Sequence, residues 1–463
     1  MSAAAHGWRL ELGWVARAVG GELRGPAGLR CRAVGTDTRR LEGGELFVAL
    51  RGPRFDGHAF LEEAARRGAA AALAERPAPG LPTVVVPDAL AALGRLAAAW
   101  REALAGPLVA VTGSCGKTTV KELLAAVLAG RGPVLASPGN LNNAVGLPLS
   151  LLRLEGGHRA AVVELGASAP GEIAALASLA RPQVAVLTGA GAAHLEGFGS
   201  LEGVARAKGE LLEALPEDGV AVLPADQPFA PLWRELAGRR RVLDFGLEAG
   251  AVRAVPGSLR VEPEGPEPGT RFVLQAPRGE APVRLRLLGA HQVRNALAAA
   301  AAALALGMDL EAVRRGLEAV APVPGRLQPR RGPRGALLLD DSYNANPDSL
   351  AAALAVLAEA RGRRLLALGD MLELGPEAEA LHREAGRRAR EAGVERLHAL
   401  GPLAREAAAA FGPGGQAHEN PEALARALLR DLAPGVVALV KGSRGAGMER
   451  VVQALLEAAG EEG

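Results

Sequence analysis

The sequence predicts an α/β protein of three domains, and three observations carry this expectation. Short β runs alternate with helical runs along the chain, which is the pattern of α/β domains. The 463 residues correspond to about two to four domains of ordinary size. Gly106-Pro107 and the segment Pro322–Gly325 interrupt the alternation. We therefore expect domains at residues 1–106, 107–323 and 324–463.

The first domain contains two short apolar runs and one longer amphipathic stretch. Leu46–Leu50 and Thr83–Val86 have the length of buried strands, and Ala89–Leu104 repeats its apolar residues at helical spacing. A small α/β unit follows from this pattern.

The second and third domains repeat a strand followed by a helical pattern. In the second, Leu108–Thr112 leads through a Gly-containing turn into a helix over Lys117–Leu128, and an Ala-rich helix follows His291. We expect a doubly wound, mostly parallel sheet in the second domain and a Rossmann-like sheet in the third. The other predicted strands are Ala160–Glu164, Val184–Thr188, Val220–Leu223, Leu259–Glu262, Arg271–Leu274, Val283–Leu287, Ala336–Leu339, Leu365–Leu368, Arg396–Leu400 and Val436–Val440.

Composition and charge exclude several classes of protein. With 49% hydrophobic and 22% charged residues the chain is globular, and its net charge of +2 argues against a protein held on nucleic acid by phosphate contacts. Cys31 and Cys115 do not form a disulfide framework. The apolar stretch Ala296–Met308 is too short for a membrane span, and the N-terminus shows no export signal. We expect a cytoplasmic protein without membrane insertion.

The strongest local motif is a phosphate-binding loop. A β run enters the turn Thr112-Gly-Ser-Cys-Gly-Lys-Thr-Thr119 and a helix leaves it, so backbone N–H groups and the helix N-terminus can bind phosphate. Lys117 would reach the β- and γ-phosphates, and Thr118 would bind Mg²⁺. Val111 stands where the standard spacing has Gly, so the loop is a shortened one. The alternative is a turn without a ligand.

Glu164, His194 and Lys208 form a second candidate group. Glu164 ends a predicted strand and His194 follows the next one, so both should lie at the ligand crevice of the sheet, where they could bind a metal ion. Lys208 falls in a helical run of a chain with only 4 Lys against 49 Arg. An amine can lose its proton and be carbamylated, whereas a guanidinium stays protonated. Ordinary surface roles are the alternative for all three residues, and for Lys121 we expect a surface position.

Asparagine placement is the third signal. Six of the seven Asn fall in three short groups, and an Asn side chain offers a donor and an acceptor together. Turn formation is the alternative for the first and last groups, but it fits Asn295 poorly, because that residue lies at a helix start. The paired acids Asp340 and Asp341 could bind ribose hydroxyls or cap a helix. The groups are Asn140, Asn142 and Asn143; Asn295; and Asn344 and Asn346.

Together these segments resemble the Mur ligase family, ATP-dependent amide-forming enzymes of peptidoglycan precursor synthesis. The shortened loop is similar to the variant of that family. Gly139–Pro148, Ala193–Ser200 and Asp340–Pro347 add to the resemblance, as do Leu368–Gly375 and Lys441–Arg444. Asp37–Arg39 and Gly44–His58 resemble the small UDP-sugar-binding domain of the family.

The resemblance implies a fold, an activity and substrates. It implies an N-terminal UDP-binding domain, a central P-loop domain and a C-terminal Rossmann-like domain. The implied reaction joins D-alanyl-D-alanine to the terminal carboxylate of a UDP-N-acetylmuramoyl-tripeptide for the cell wall, with ATP and two Mg²⁺ ions, through an acyl phosphate. We expect a monomer that acts on these small molecules.

The resemblance also implies roles for individual residues. Lys117, Lys208, His194 and Arg326 would be catalytic. Thr118, Glu164, His194 and carbamylated Lys208 would bind the metal ions. ATP would contact Gly113, Ser114, Cys115, Gly116, Lys117, Thr118, Thr119, Asn295, Arg326 and Asp341. The other substrates would contact Thr38, Arg39, Asp56, Gly57, His58, Asn140, Asn142, Asn143, Tyr343, Asn344 and Asn346.

The sequence leaves three alternative functions open. A related Mur-type or folylpolyglutamate-type ligase would use another acceptor. A P-loop kinase or regulatory NTPase would leave the N-terminal Asp-Gly-His segment and the third domain without a role. A non-enzymatic nucleotide-binding module would not require Glu164, His194 and Lys208 at one site.

Overall fold

The computed structural model describes residues 10–52, 55–104, 106–191 and 195–460. Within these residues the strands belong to three main sheets, one in each predicted domain, and to two short two-stranded ladders. The predicted α/β class is confirmed. No helix in the described ranges has both the length and the apolar character that a bilayer crossing requires.

The N-terminal part contains a small mixed sheet in the strand order β2–β9–β8–β5–β4. Its helices α1 and α3 share one hydrophobic core with strands and helices of the central part. Trp100 of α3 also donates a hydrogen bond to the carbonyl of Leu154 (3.0 Å). This part therefore packs firmly on the central sheet. The elements are β1 Leu10–Glu11, α1 Leu12–Val19, β2 Glu22–Arg24, β3 Arg30–Cys31, β4 Val34–Gly35, β5 Leu46–Val48, β6 Arg51–Gly52, β7 Phe55–Asp56, α2 Leu61–Arg66, β8 Ala71–Ala74, β9 Thr83–Val85 and α3 Ala89–Ala103.

The central sheet runs in the order β11–β12–β10–β13–β14–β15–β16–β18–β17, with β19 paired to β18. It is parallel from β11 to β16 and antiparallel beyond. The elements are β10 Leu108–Thr112, α4 Lys117–Leu128, β11 Val134–Ala136, α5 Gly146–Leu151, β12 Ala160–Glu164, α6 Glu172–Ala180, β13 Val184–Leu187, α7 Leu195–Phe198, α8 Leu201–Glu213, β14 Val220–Pro224, α9 Ala230–Ala237, β15 Arg241–Gly246, β16 Val252–Ala254, β17 Arg260–Glu262, β18 Gly269–Ala276, β19 Gly279–Leu285, α10 Ala290–Ala305 and α11 Leu310–Ala319.

The C-terminal sheet has the order β20–β21–β25–β22–β23–β24, and only its first pair is antiparallel. Helices cover both faces through two hydrophobic clusters. The elements are β20 Gln328–Arg331, β21 Leu337–Asp341, α12 Pro347–Ala358, β22 Arg363–Gly369, α13 Ala378–Glu391, β23 Arg396–Leu400, α14 Pro402–Phe411, β24 Gly415–His418, α15 Pro421–Asp431, β25 Val436–Lys441 and α16 Met448–Gly460.

The apolar pattern located most of the long buried strands, but it missed the short, fully buried strand β8 and several polar strands. β10, β12 and β23 have the predicted bounds, whereas the predicted strand Val283–Leu287 is observed at Gly279–Leu285. The start of that strand is polar, with Glu280 opposite Gln275 of β18. An apolar run therefore cannot reveal where the strand begins. The sequence did not predict the other strands of the described residues, and of these β20 and β24 are polar edge strands. The strands not predicted are β1, β2, β3, β4, β6, β7, β8, β11, β15, β16, β20 and β24.

Helix α11 packs on the phosphate-loop helix α4 through Gly316. A Cβ at Gly316 would lie 2.4 Å from Cα of Val127, so the two helix backbones approach closely.

We predict that Gly316→Ala lowers the thermal midpoint of unfolding. Overpacking of this kind costs about 1–3 kcal/mol, which exceeds the roughly 1 kcal/mol that Ala gains over Gly in a helix. Thermal melting followed by circular dichroism measures the effect. Gly157→Ala is the matched control, because a Cβ at Gly157 meets no atom within 4 Å. Equal midpoints for the two variants would contradict the close approach.

Candidate functional site

The loop after β10 has the backbone that the sequence predicts for a phosphate site. Gly113 has φ +146° and Gly116 has φ +85°, and Gly116 is followed directly by α4, with Thr118 and Thr119 in its first turn. The first N–H groups of a helix lack intrahelical partners and favour an anion. Nζ of Lys117 lies 2.6 Å from the carbonyl oxygen of Gly113, so its ammonium group folds back over the loop.

The segment after β13, residues 188–191, forms hydrogen bonds with this loop. The backbone N–H of Ser114 donates to Gly189 (3.0 Å), and the Ser114 hydroxyl bonds the carbonyl and the N–H of Gly191. The hydroxyl of Thr188 donates to the carbonyl of Cys115. The end of a neighbouring parallel strand therefore fixes the conformation of the loop.

Glu164 lies beside the first turn of α4. Its strand pairs in parallel with β10, with Glu164 opposite Val111, so both strands end at the same edge. One carboxylate oxygen accepts a hydrogen bond from the Thr118 hydroxyl (2.9 Å), and the other accepts from Nδ2 of Asn142 (3.1 Å). Glu164 is 3% exposed, which makes a buried carboxylate with two defined partners.

A hydroxyl and a carboxylate oxygen are suitable ligands for Mg²⁺. Thr118 and Glu164 supply both within hydrogen-bonding distance, so the donor set fits one Mg²⁺ ion. In the described part of the chain no group of three or more His, Cys, Asp or Glu side chains is arranged to bind a metal ion. His194 lies outside the described residues, so the predicted second ion remains a prediction.

Lys208 is buried in helix α8. Its Nζ donates to the carbonyl of Ala167 (3.2 Å) and lies 5.1 Å from the ring centroid of Phe198. Burial, reinforced by the positive charge of Lys117, lowers the pKa of Lys208 to about 8. Because Lys208 is buried, it is not an ordinary solvated surface lysine.

A cleft of about 490 Å³ lies between the phosphate loop and Lys208. Lys117 lines it at the phosphate loop, and Lys208 lines it beside Ser168 and Glu172. Asn142 and Asn143 form a further wall. Two cationic side chains thus face one space large enough for a small-molecule substrate.

The C-terminal part lies against the phosphate loop. Nη2 of Arg326 donates to the hydroxyl of Thr118 (3.2 Å), and its guanidinium stacks on Tyr343, 4.5 Å from the ring centroid. Nδ2 of Asn346 lies 3.3 Å from Sγ of Cys115. Arg326 is therefore placed near any phosphate that the loop binds.

Asp341 and Lys441 form a buried ion pair (2.5 Å). They are direct partners in the parallel register of β21 and β25, and Asp341 also accepts a hydrogen bond from the N–H of Leu327 (3.0 Å). Asp341 does not cap a helix; Asn346 does, through a capping box with Ser349. The role of Asp341 in ribose binding stays a prediction.

Three of the predicted Asn residues, Asn143, Asn344 and Asn295, contact neighbouring parts of the protein. Asn143 accepts from the N–H groups of Val145 and Gly146. Asn344 offers its carbonyl to Lys441 (3.0 Å). A Cβ at Gly116 would lie 2.3 Å from Oδ1 of Asn295, so Asn295 borders the phosphate loop, and its Nδ2 donates to Gln292 (3.0 Å). Its role in adenine binding stays a prediction. Asn140, three residues before Asn143, is exposed.

The predicted UDP-sugar residues lie in the N-terminal part. Asp56 accepts from the N–H and from Nδ1 of His58 (2.9 and 2.6 Å), and Nε2 of His58 accepts from the N–H of Glu75 (2.9 Å). Both ring nitrogens of this buried residue are therefore engaged within the protein. Gly57 and Thr38 are buried, whereas Arg39 is exposed and paired with Asp37 (2.8 Å).

The expectation for Lys121 was wrong. Lys121 is fully buried, and its Nζ donates to the carbonyls of Ser137 (2.7 Å) and Gly139 (3.4 Å). Sequence reasoning also missed Ser137, whose hydroxyl accepts the N–H of Glu164 (3.1 Å). The scarcity of Lys in this chain could have marked Lys121 as a special position. Nothing in the sequence marks Ser137 in the same way.

Three regions of the chain match models of the Mur ligase family. Residues 111–303 match the Mur ligase middle domain, 325–444 the glutamate ligase domain of Mur ligases, and 30–101 the Mur ligase family catalytic domain. The UDP-N-acetylmuramoyl-tripeptide–D-alanyl-D-alanine ligase of Escherichia coli is 46% identical, over 94% of this chain and 96% of that protein. 

Two solved structures extend the similarity to the whole fold. A MurF crystal structure from Acinetobacter baumannii has a TM-score of 0.91 at 36% identity, covering 97% of this chain and 99% of that one. A MurF ligase from Thermotoga maritima in complex with ADP has a TM-score of 0.82 at 31% identity, covering 93% and 98%.

We predict that Gly116→Ala weakens ATP binding by at least about fivefold. Ala at φ +85° is strained, and its Cβ would lie 2.3 Å from Asn295; strain of about 1–3 kcal/mol corresponds to a change of roughly five- to 150-fold. Isothermal titration calorimetry measures the affinity. Gly130→Ala is the control, because the nearest atom to a Cβ there is 3.9 Å away. Unchanged affinity in Gly116→Ala would contradict the loop assignment.

Proposed function

We propose that this chain, which belongs to the Mur ligase family, joins D-alanyl-D-alanine to a UDP-N-acetylmuramoyl-tripeptide in peptidoglycan synthesis. It is an ATP-dependent amide-forming ligase. The observation that carries the proposal is the shared cleft of Lys117 and Lys208 beside the Thr118–Glu164 pair. The 46% identity to a curated ligase of this activity supports the choice of substrates.

The reaction forms an amide in two transfers. The terminal carboxylate of the tripeptide attacks the γ-phosphorus of ATP, which gives an acyl phosphate and ADP. The amine of D-alanyl-D-alanine then attacks the acyl carbon, loses a proton, and inorganic phosphate leaves. Each step develops negative charge on phosphate oxygens, so fixed cations nearby stabilise the transition state.

The chain supplies two such cations from different domains. Lys117 lies on the phosphate loop, and Arg326 reaches Thr118 from the C-terminal part. The stack on Tyr343 orients the Arg326 guanidinium before ATP binds. Substrates bound to separate domains thereby meet at one point.

Thr118 and Glu164 would bind Mg²⁺, and bound Mg²⁺ would neutralise charge on the β- and γ-phosphates. Glu164, His194 and a carbamylated Lys208 would bind the second ion. The lowered pKa of Lys208 favours this modification, because CO₂ reacts with the neutral amine. At pH 7.5 a pKa of about 8 leaves roughly a quarter of the amine neutral, whereas the ordinary lysine pKa of about 10.5 leaves about one part in a thousand neutral.

ATP would contact the loop from Gly113 to Thr119, with adenine near Asn295 and ribose near Asp341. The UDP-sugar would lie along the N-terminal sheet near Thr38, Arg39 and Asp56–His58. Because His58 is engaged by Asp56 and Glu75, we infer that it shapes this surface, whereas Arg39 is exposed and paired with Asp37.

The first test measures ADP release from the purified protein with ATP, UDP-N-acetylmuramoyl-tripeptide and D-alanyl-D-alanine. We expect turnover only when all three are present, and a product mass equal to that of the UDP-N-acetylmuramoyl-pentapeptide. Diamino acids and glutamate replace the dipeptide in parallel reactions. Turnover with one of these and none with D-alanyl-D-alanine would assign a related ligase activity instead.

A second test replaces Lys208. Lys208→Arg keeps the charge but cannot be carbamylated, so we expect kcat to fall at least about tenfold. Carbon-13 NMR under ¹³CO₂ should show a carbamate signal in the wild type only, decreasing as the pH falls below about 8 and the amine is protonated. The control is Arg206→Lys, an exposed position on the same helix. Full activity of Lys208→Arg would refute the carbamate role.

A further inference from the structure

The most unusual charged group outside the proposed chemistry is Lys121. It lies one turn after Lys117 on α4, and its side chain is 1% exposed. A buried ammonium group loses its hydration, so it is costly unless its hydrogen bonds are replaced. Here two backbone carbonyls replace them, with the half-exposed carboxylate of Glu122 at 3.1 Å. An apolar side chain would fill the same space without that cost.

The two carbonyls belong to one segment, residues 137–143, which follows β11. Lys121 therefore ties the phosphate-loop helix to this segment at Ser137 and Gly139. The strand pairing does not connect this segment to α4, because β11 pairs with β12.

The same segment holds Glu164 at two points. The hydroxyl of Ser137 accepts the N–H of Glu164 (3.1 Å), and the side chain of Asn142 donates to its carboxylate (3.1 Å). The carbonyl of Asn142 also accepts the N–H of Gly166 (2.8 Å). The other carboxylate oxygen of Glu164 faces Thr118, which lies on the helix that Lys121 ties down.

We propose that Lys121 is a positioning residue that fixes segment 137–143 against α4, so that Thr118 and Glu164 keep the geometry needed for a divalent cation. The inference rests on the proposed function and adds a residue to it. Lys121 acts through Ser137 and Asn142 and not by touching ATP. Loss of the tie would let the segment move away from Glu164 and would leave the fold of the sheet intact.

The decisive variant is Lys121→Met, which keeps the volume and length of the side chain but removes its donors. We expect the Mg²⁺ concentration for half-maximal ADP release to rise at least about tenfold, the effect typical of lost support around a metal ligand.

A binding measurement separates metal geometry from turnover. Mn²⁺ titrated into the protein with a non-hydrolysable ATP analogue, followed by electron paramagnetic resonance, should bind at least about tenfold more weakly to Lys121→Met. A purely structural Lys121 would lower the melting temperature without changing Mn²⁺ affinity in the folded fraction, and that result would overturn the proposal.

Two further variants complete the experiment. Glu122→Gln removes the carboxylate near Nζ but keeps both carbonyl contacts, so it should retain wild-type Mn²⁺ affinity. Ser137→Ala removes the hydroxyl that accepts the N–H of Glu164, and should weaken Mn²⁺ binding even if Lys121→Met does not fold. Wild-type affinity in Ser137→Ala would overturn the proposal. If wild-type protein releases no ADP yet these Mn²⁺ differences persist, the proposed function fails and the positioning role stands.

Discussion

The hydrogen bond between Thr118 and Glu164 depends on how two parallel strands are paired, and the rest of the site is arranged around it. β10 and β12 place Val111 opposite Glu164, so the phosphate loop and the carboxylate emerge at the same sheet edge. β13 lies on the other side of β10 and supports the loop through Thr188 and Gly189. The crevice between these strand ends is where ligands bind in sheets of this type.

The electrostatics of the site come from lysines that the protein encloses. Lys121, Lys208 and Lys441 are each at most 3% exposed, and each has carbonyl or carboxylate partners. Their environments differ in consequence. Lys441 pairs with Asp341. Burial, reinforced by the positive charge of Lys117, lowers the pKa of Lys208 to about 8.

Contacts between the C-terminal and central parts occur at the loop that would carry phosphate. Arg326 bonds Thr118, and Asn346 contacts Cys115. A Cβ at Gly191 would lie 2.3 Å from the carboxylate of Asp348, so the two parts fit closely there. An arginine that reaches across such a boundary links the arrangement of the domains to the charge available at the γ-phosphate.

The sequence alone determined the α/β class, most of the long buried strands and the phosphate loop, because these depend on local apolar runs and on glycines with positive φ. It also placed Glu164 at the end of a strand and Lys208 on a helix, and Lys208 lines the cleft. The burial of Lys121 and the pairing of Lys441 with Asp341 were decided by tertiary structure. Nothing local distinguishes Lys121 from a solvated helix residue; its partners Ser137 and Gly139 reach it only when β11 is placed beside β12. Asp341 and Lys441 are separated by 100 positions, and the parallel register alone brings them together.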